Sequence, residues 1–119
     1  MTEITIEELP DSARGRAFAE RVAIAYLRHG RVAEVIGVET TGARAAGWML
    51  DDMLASPGAT LAVGETRELG TRAAVKFVVR RPELSAAEDL WVVLDERDRV
   101  RATASVLTLP VLLHGADEM

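Results

Sequence analysis

Few residues in this 119-residue chain have types and spacing suited to chemistry. Asp89 stands at the head of an alternating run, and Asp51 and Asp52 are adjacent in a helical stretch. A carboxyl group that does acid–base work needs its pKa raised by burial, and a donor nearby to steady developing negative charge. Tyr26, the single tyrosine, is a hydroxyl that can donate. Neighbours on a helix point about 100° apart, so Asp51 and Asp52 do not make a dyad by themselves. His29 and His114 lie far apart on different elements, which argues against a histidine metal site. There is no cysteine. That excludes disulfides, thiol nucleophiles and thiolate zinc sites, and fits a reducing, cytoplasmic setting. Neither a metal nor a cofactor is expected.

The elements that must position these groups follow from a change of period. Up to about Ser56 the apolar residues recur at helical spacing; from Ala59 to Leu109 they alternate. Thr2 to Ile6 is a short strand or a tail. Pro10 stops it, and Asp11 or Ser12 caps a helix over Ala13 to His29. Phe18, Val22, Ala25, Tyr26 and His29 share one face of that helix, and Gly30 terminates it. A short helix over Arg31 to Ile36 and a third from about Ala43 to Ala55 follow, the last burying Ala46, Met49, Leu50, Met53 and Leu54. Ser56-Pro57-Gly58 is a turn. Four strands then run Thr60 to Glu68, Thr71 to Arg80, Ala87 to Leu94 and Arg99 to Leu109. In the second, Ala73, Val75, Phe77 and Val79 should lie under the helices. Pro110 ends the last strand, and Val111 to Met119 reads as a tail.

The order is therefore α+β: helices first, then an antiparallel sheet for them to cover, within a single domain over residues 1–119. Composition is that of an ordinary globular chain, 49% hydrophobic and 28% charged. A net charge of −5 argues against a nucleic-acid partner, which asks for clustered cations. No apolar run approaches the roughly 20 residues of a membrane span. The acidic start, with Glu3, Glu7 and Glu8, lacks the pattern of a signal peptide.

Three stretches carry a resemblance. Ala25 to Val35 places a glycine after a helix and an aliphatic short helix after it. Gly42-Ala43-Arg44-Ala45-Ala46 opens the third helix with a glycine. Glu68 to Val75 is a strand–glycine–strand hairpin. With the helix–helix–helix–meander order, these resemble the nuclear transport factor 2-like superfamily, including its SnoaL-like cyclases and ketosteroid-isomerase-like enzymes. The resemblance spans roughly Ala17 to Leu109. It implies a cone: three N-terminal helices on a curved four-stranded antiparallel sheet, with an apolar pocket inside. The family's strand between the second and third helices is absent or vestigial here, since only Val38 to Thr41 is available and Glu39 is its one acid. The general base of a ketosteroid isomerase has no clear equivalent, and Ala23 rather than Tyr26 aligns with such an enzyme's oxyanion-hole tyrosine.

The resemblance implies a pocket for a small hydrophobic molecule. Asp89 would be its acid/base and Tyr26 a hydrogen-bond donor, in an isomerase, cyclase or hydratase acting on a polyketide- or steroid-like compound. Trp48, Trp91, Met49, Met53, Phe18 and Phe77 would wall the ligand. The alternative is a non-catalytic ligand-binding or assembly module on the same fold; a cone filled by Phe18, Trp48, Met49, Met53 and Phe77 would point to a third class, a purely structural partner protein. The face of Asp89 depends on the last hairpin. With an even-length turn at Asp95 to Asp98, Asp89, Trp91 and Val93 share a face with Val100, Ala102 and Ala104. With one residue more, Leu90, Val92 and Leu94 do. The family's preference, and Val78, Trp91 or Leu107 on the outer sheet face, suggest a homodimer through the sheet.

Overall fold

Ser12 sets the start of the first helix, α1 (Ala13–His29). Its Oγ accepts the Gly15 N–H at 3.0 Å and donates to Glu68 Oε1 at 2.9 Å. Its own N–H donates to Thr66 Oγ1 at 2.9 Å. An N-cap that satisfies a free helical N–H is thus also the tie between the helix and the sheet. Gly30 ends α1 in the left-handed region, φ 70°, with its N–H on the Tyr26 carbonyl. The computed structural model describes residues 5–32 and 49–114. The expected helix over Arg31 to Ile36, the start of the third helix and the Val38 to Thr41 segment fall largely or wholly outside them. Residues 49–54 are helical and are labelled α2.

The chain is α+β, with an open four-stranded antiparallel sheet in the order β1-β2-β3-β4. The strands are β1 (Thr60–Leu69), β2 (Arg72–Arg80), β3 (Glu88–Leu94) and β4 (Val100–Ala104). Leu69 pairs with Arg72, so Gly70 and Thr71 alone make the first turn. Gly70 has φ 60°. Glycine at the first central position is what a tight hairpin of type II′ requires.

Both faces of the sheet are covered at its centre, along β2 and β3. On one, Val75, Phe77 and Val79 of β2 and Leu90, Val92 and Leu94 of β3 pack under Phe18, Ala19 and Val22 of α1 and Leu50 and Leu54 of α2. This is the β2 face that alternation predicts. On the other, Ala74, Trp91, Val93 and Ala102 pack against Leu9, Leu107, Val111 and Leu112. The cover there is a third helix, α3 (Leu109–His114). Each Val, Leu or Phe side chain among them that is removed from water contributes about 1.5–3 kcal/mol.

Three expectations are corrected here. The last strand stops at Ala104 rather than Leu109, and the segment beyond it turns back as α3 instead of trailing as a tail. Pro110 does not stop the chain: it sits in the first turn of α3, where a missing N–H costs nothing. Trp91 and Leu107, expected to meet water on the outer face, are 7% and 6% exposed beneath that helix. The exposed apolar face that argued for a dimer through the sheet is therefore largely covered by the chain itself.

The last hairpin resolves its two alternatives by using both. Leu94 pairs with Val100, but Val93 pairs with Ala102, which leaves Arg101 as the extra residue of a bulge. Before the bulge, Val100 joins Leu94 in the α1-facing core. After it, Ala102 and Ala104 join Trp91 and Val93 on the α3 side.

Candidate functional site

A hollow of about 670 Å³ opens where α2 overhangs the end of the β3–β4 pair. Its apolar wall is Met49, Met53 and Leu90; its polar groups are Asp52, Arg81, Glu88, Asp89, Thr103 and Ser105. α2 supplies the thioethers because its inner stripe, Leu50 and Leu54, is anchored in the core. Met49 and Asp52 are thereby turned outward. Asp51 looks elsewhere: its Oδ1 accepts the Val32 N–H at 2.7 Å.

Arg81 and Glu88 close the β2–β3 connection. Arg81 Nε donates to Glu88 Oε2 at 2.8 Å, and Nη2 donates to Oε1 in the same bidentate pair. The Glu88 carboxylate raises the Arg81 pKa above its ordinary value, and the charges of Glu83 and Asp52 act in the same direction. Glu83, beyond the lining, is held below the usual carboxylate range by its backbone N–H and by the Ser56 hydroxyl, which donates at 2.8 Å.

Asp89 lines this hollow but projects from the strand face that carries Trp91 and Val93. Its side chain is 46% exposed, and Lys76 Nζ lies 4.0 Å from its Oδ2. Lys76, the single lysine of the chain, is also 3.9 Å from Glu65 Oε1 and 5.8 Å from the centre of the Trp91 ring. A half-exposed carboxylate facing an ammonium is in the setting of a solvated ion, not of a buried acid.

Tyr26 is somewhere else. It lines a smaller hollow of about 280 Å³ with Ala23, Leu27, Ala59, Thr60 and Leu61. Its hydroxyl donates to the Ala59 carbonyl at 3.2 Å. The expected acid and donor thus share no hollow. Of the expected ligand walls, Met49 and Met53 line the larger hollow. Phe18 and Phe77 are 1% and 0% exposed and meet edge to face, 6.4 Å between centroids at 63°. They are core, as is Trp91 on the far side of the sheet. Trp48 and Glu39 lie outside the described residues. His29 is exposed in the last turn of α1, where a helix dipole favours a cation.

The chain matches no protein-family model, no curated protein and no solved structure. Among the described residues no helix is long and apolar enough to cross a membrane, and no group of His, Asp and Glu is arranged to hold a metal ion.

Sequence reasoning missed Arg81, Glu88 and Leu90 as lining, because Arg81 reads as loop and its partner lies seven residues on. In the sequence, Arg99, Arg101, Thr103 and Ser105 alternate as a polar row. The bulge splits that row. Arg99 Nε donates to Asp95 Oδ2 at 3.1 Å, while Thr103 and Ser105 reach the hollow.

Proposed function

We propose that this chain is a small-molecule-binding protein on a cone of the nuclear transport factor 2-like type, with its ligand in the larger hollow. The observation that carries the reading is the lining itself. Two thioethers and a leucine face a few convergent polar groups in about 670 Å³, and binding sites for small organic molecules are built this way, at about 300–1,000 Å³. Methionine suits a wall that adapts to its guest.

The catalytic alternative is an acid–base isomerase, cyclase or hydratase of a polyketide- or steroid-like compound. Asp89 in the lining speaks for it. The exposure of Asp89 and its separation from Tyr26 speak against it, because both groups must touch one substrate.

Thermal shift and calorimetry with a panel of small apolar alcohols, ketones, phenols and amines test the reading. Ser105 is an exposed rim residue, so Ser105→Trp fills the mouth without touching the core. A ligand at one hundred times its Kd stabilises the wild type by about 2.7 kcal/mol; Ser105→Trp is expected to remove that gain. Binders indifferent to Ser105→Trp, or no binder at all, overturn the proposal. Turnover of a panel member, lost in Asp89→Asn, would establish the catalytic alternative instead.

A further inference from the structure

We propose that the ligand of the larger hollow is an organic cation: a small amphiphile with an ammonium-type head and an apolar body. This deepens the small-molecule-binding reading and rests on it. Among the described residues the lining carries three carboxylates, Asp52, Glu88 and Asp89, against one guanidinium, Arg81, a net charge of −2. Arg81 is already engaged, with two of its nitrogens on the two oxygens of Glu88. That pair cancels within the wall and leaves Asp52 and Asp89. Lys76 does not change the sum. It sits outside the lining and is shared between Asp89 at 4.0 Å and Glu65 at 3.9 Å, so counting it brings in a further carboxylate. Both distances exceed hydrogen-bond reach, so the Asp89 oxygens keep their accepting capacity toward a bound N–H.

The remaining polar groups fit the same guest. Thr103 and Ser105 place hydroxyl oxygens at the rim, and these can accept from an ammonium, more weakly than the carboxylates do. Met49, Met53 and Leu90 offer polarizable sulfur and hydrocarbon to its body. An anionic ligand would find the one lining cation among the described residues committed to Glu88 and two carboxylates facing it. A neutral ligand could donate a hydrogen bond to those carboxylates but would gain no charge attraction from them. The chain's net charge of −5 attracts cations from a distance in the same sense.

The test compares n-hexylammonium, n-hexanol and hexanoate, three heads on one chain length, by calorimetry on the full chain at neutral pH. Hexylammonium is expected to bind about tenfold more tightly than hexanol, as two partly screened charge contacts allow, with hexanoate weakest. That advantage shrinks at about 0.5 M salt. In the Asp52→Asn/Asp89→Asn double variant, the ratio of the hexylammonium to the hexanol affinity is expected to fall about tenfold. If hexanol or hexanoate binds as tightly as hexylammonium while Ser105→Trp still blocks them, the cation proposal fails and the binding reading stands. If no probe binds in a way that Ser105→Trp removes, the binding reading itself fails.

Discussion

The carboxylate of Asp95 accepts the N–H groups of Arg97 and Arg99 at 2.8 and 3.0 Å, and the Arg99 guanidinium at 3.1 Å. The residue is only 7% exposed. Burial alone would raise its pKa; the two backbone donors and Arg99 outweigh that and hold it below the ordinary 3.8. A carboxylate lowered on folding adds stability that is complete above its unfolded pKa and fades as pH falls through the folded one. Asp95→Asn is therefore expected to destabilise the chain at neutral pH by about 1–3 kcal/mol. The gap to wild type should close between about pH 5 and about pH 2. Urea unfolding of both proteins across that range checks it; a gap that stays constant would show that Asp95 acts through shape alone. The same scale explains what was legible in the candidate site. Residue type and position along a strand single out Asp89. Its surroundings depend on Lys76 and Glu65 from two other strands, which no local pattern announces.

At the scale of elements, local signals were read well where one rule acts alone. Gly30 ends α1 and Ser12, one of two adjacent cap candidates, starts it, while strict alternation assigns the β2 faces because the pleat leaves a single solution. The last hairpin is different. A bulge at Arg101 lets both alternations hold in turn, and a one-residue insertion leaves no mark in a polar–apolar pattern. The missed helix is different again. Thr108 caps it, its Oγ1 accepting the Val111 N–H at 3.3 Å, and Pro110 then fits the first turn. A proline after a strand says stop, and a proline after a threonine says start; only the apolar Val111 and Leu112 behind it decide. Leu112 is wholly buried on the second face of the sheet. Leu112→Ala is expected to cost about 2–5 kcal/mol, as a core truncation does, although it lies in the last described turn of the chain. A cost below about 1 kcal/mol in denaturant unfolding would mean that α3 is a loose cover, since surface sites give such values.

At the scale of the molecule, the two cores are not independent, because one sheet supplies a face to each. Ala73 and Val75 of β2 belong to the first core, and Ala74 between them belongs to the second. Arg14 adds a second coupling. Its Nε donates to Asp98 Oδ1 at 2.8 Å, its Nη1 to the Thr71 carbonyl at 3.0 Å, and its Nη2 to the Asp95 carbonyl. One side chain of α1 thus holds two of the three strand connections, those between β1 and β2 and between β3 and β4. Losing either helical cover exposes a face of strands that the other cover needs intact, so neither half has a stable state of its own. Unfolding is expected to be a single transition. In a Trp48→Phe background, Trp91 fluorescence reports the α3 side of the sheet and far-UV dichroism weights the long helix on the other side. The two curves should coincide in denaturant. Phe18→Ala, a truncation in the first core worth about 3–5 kcal/mol, should move the Trp91 transition as far as the helical one. If Trp91 keeps its own midpoint, the sheet does not couple its two faces, and α3 with its core is a separable layer.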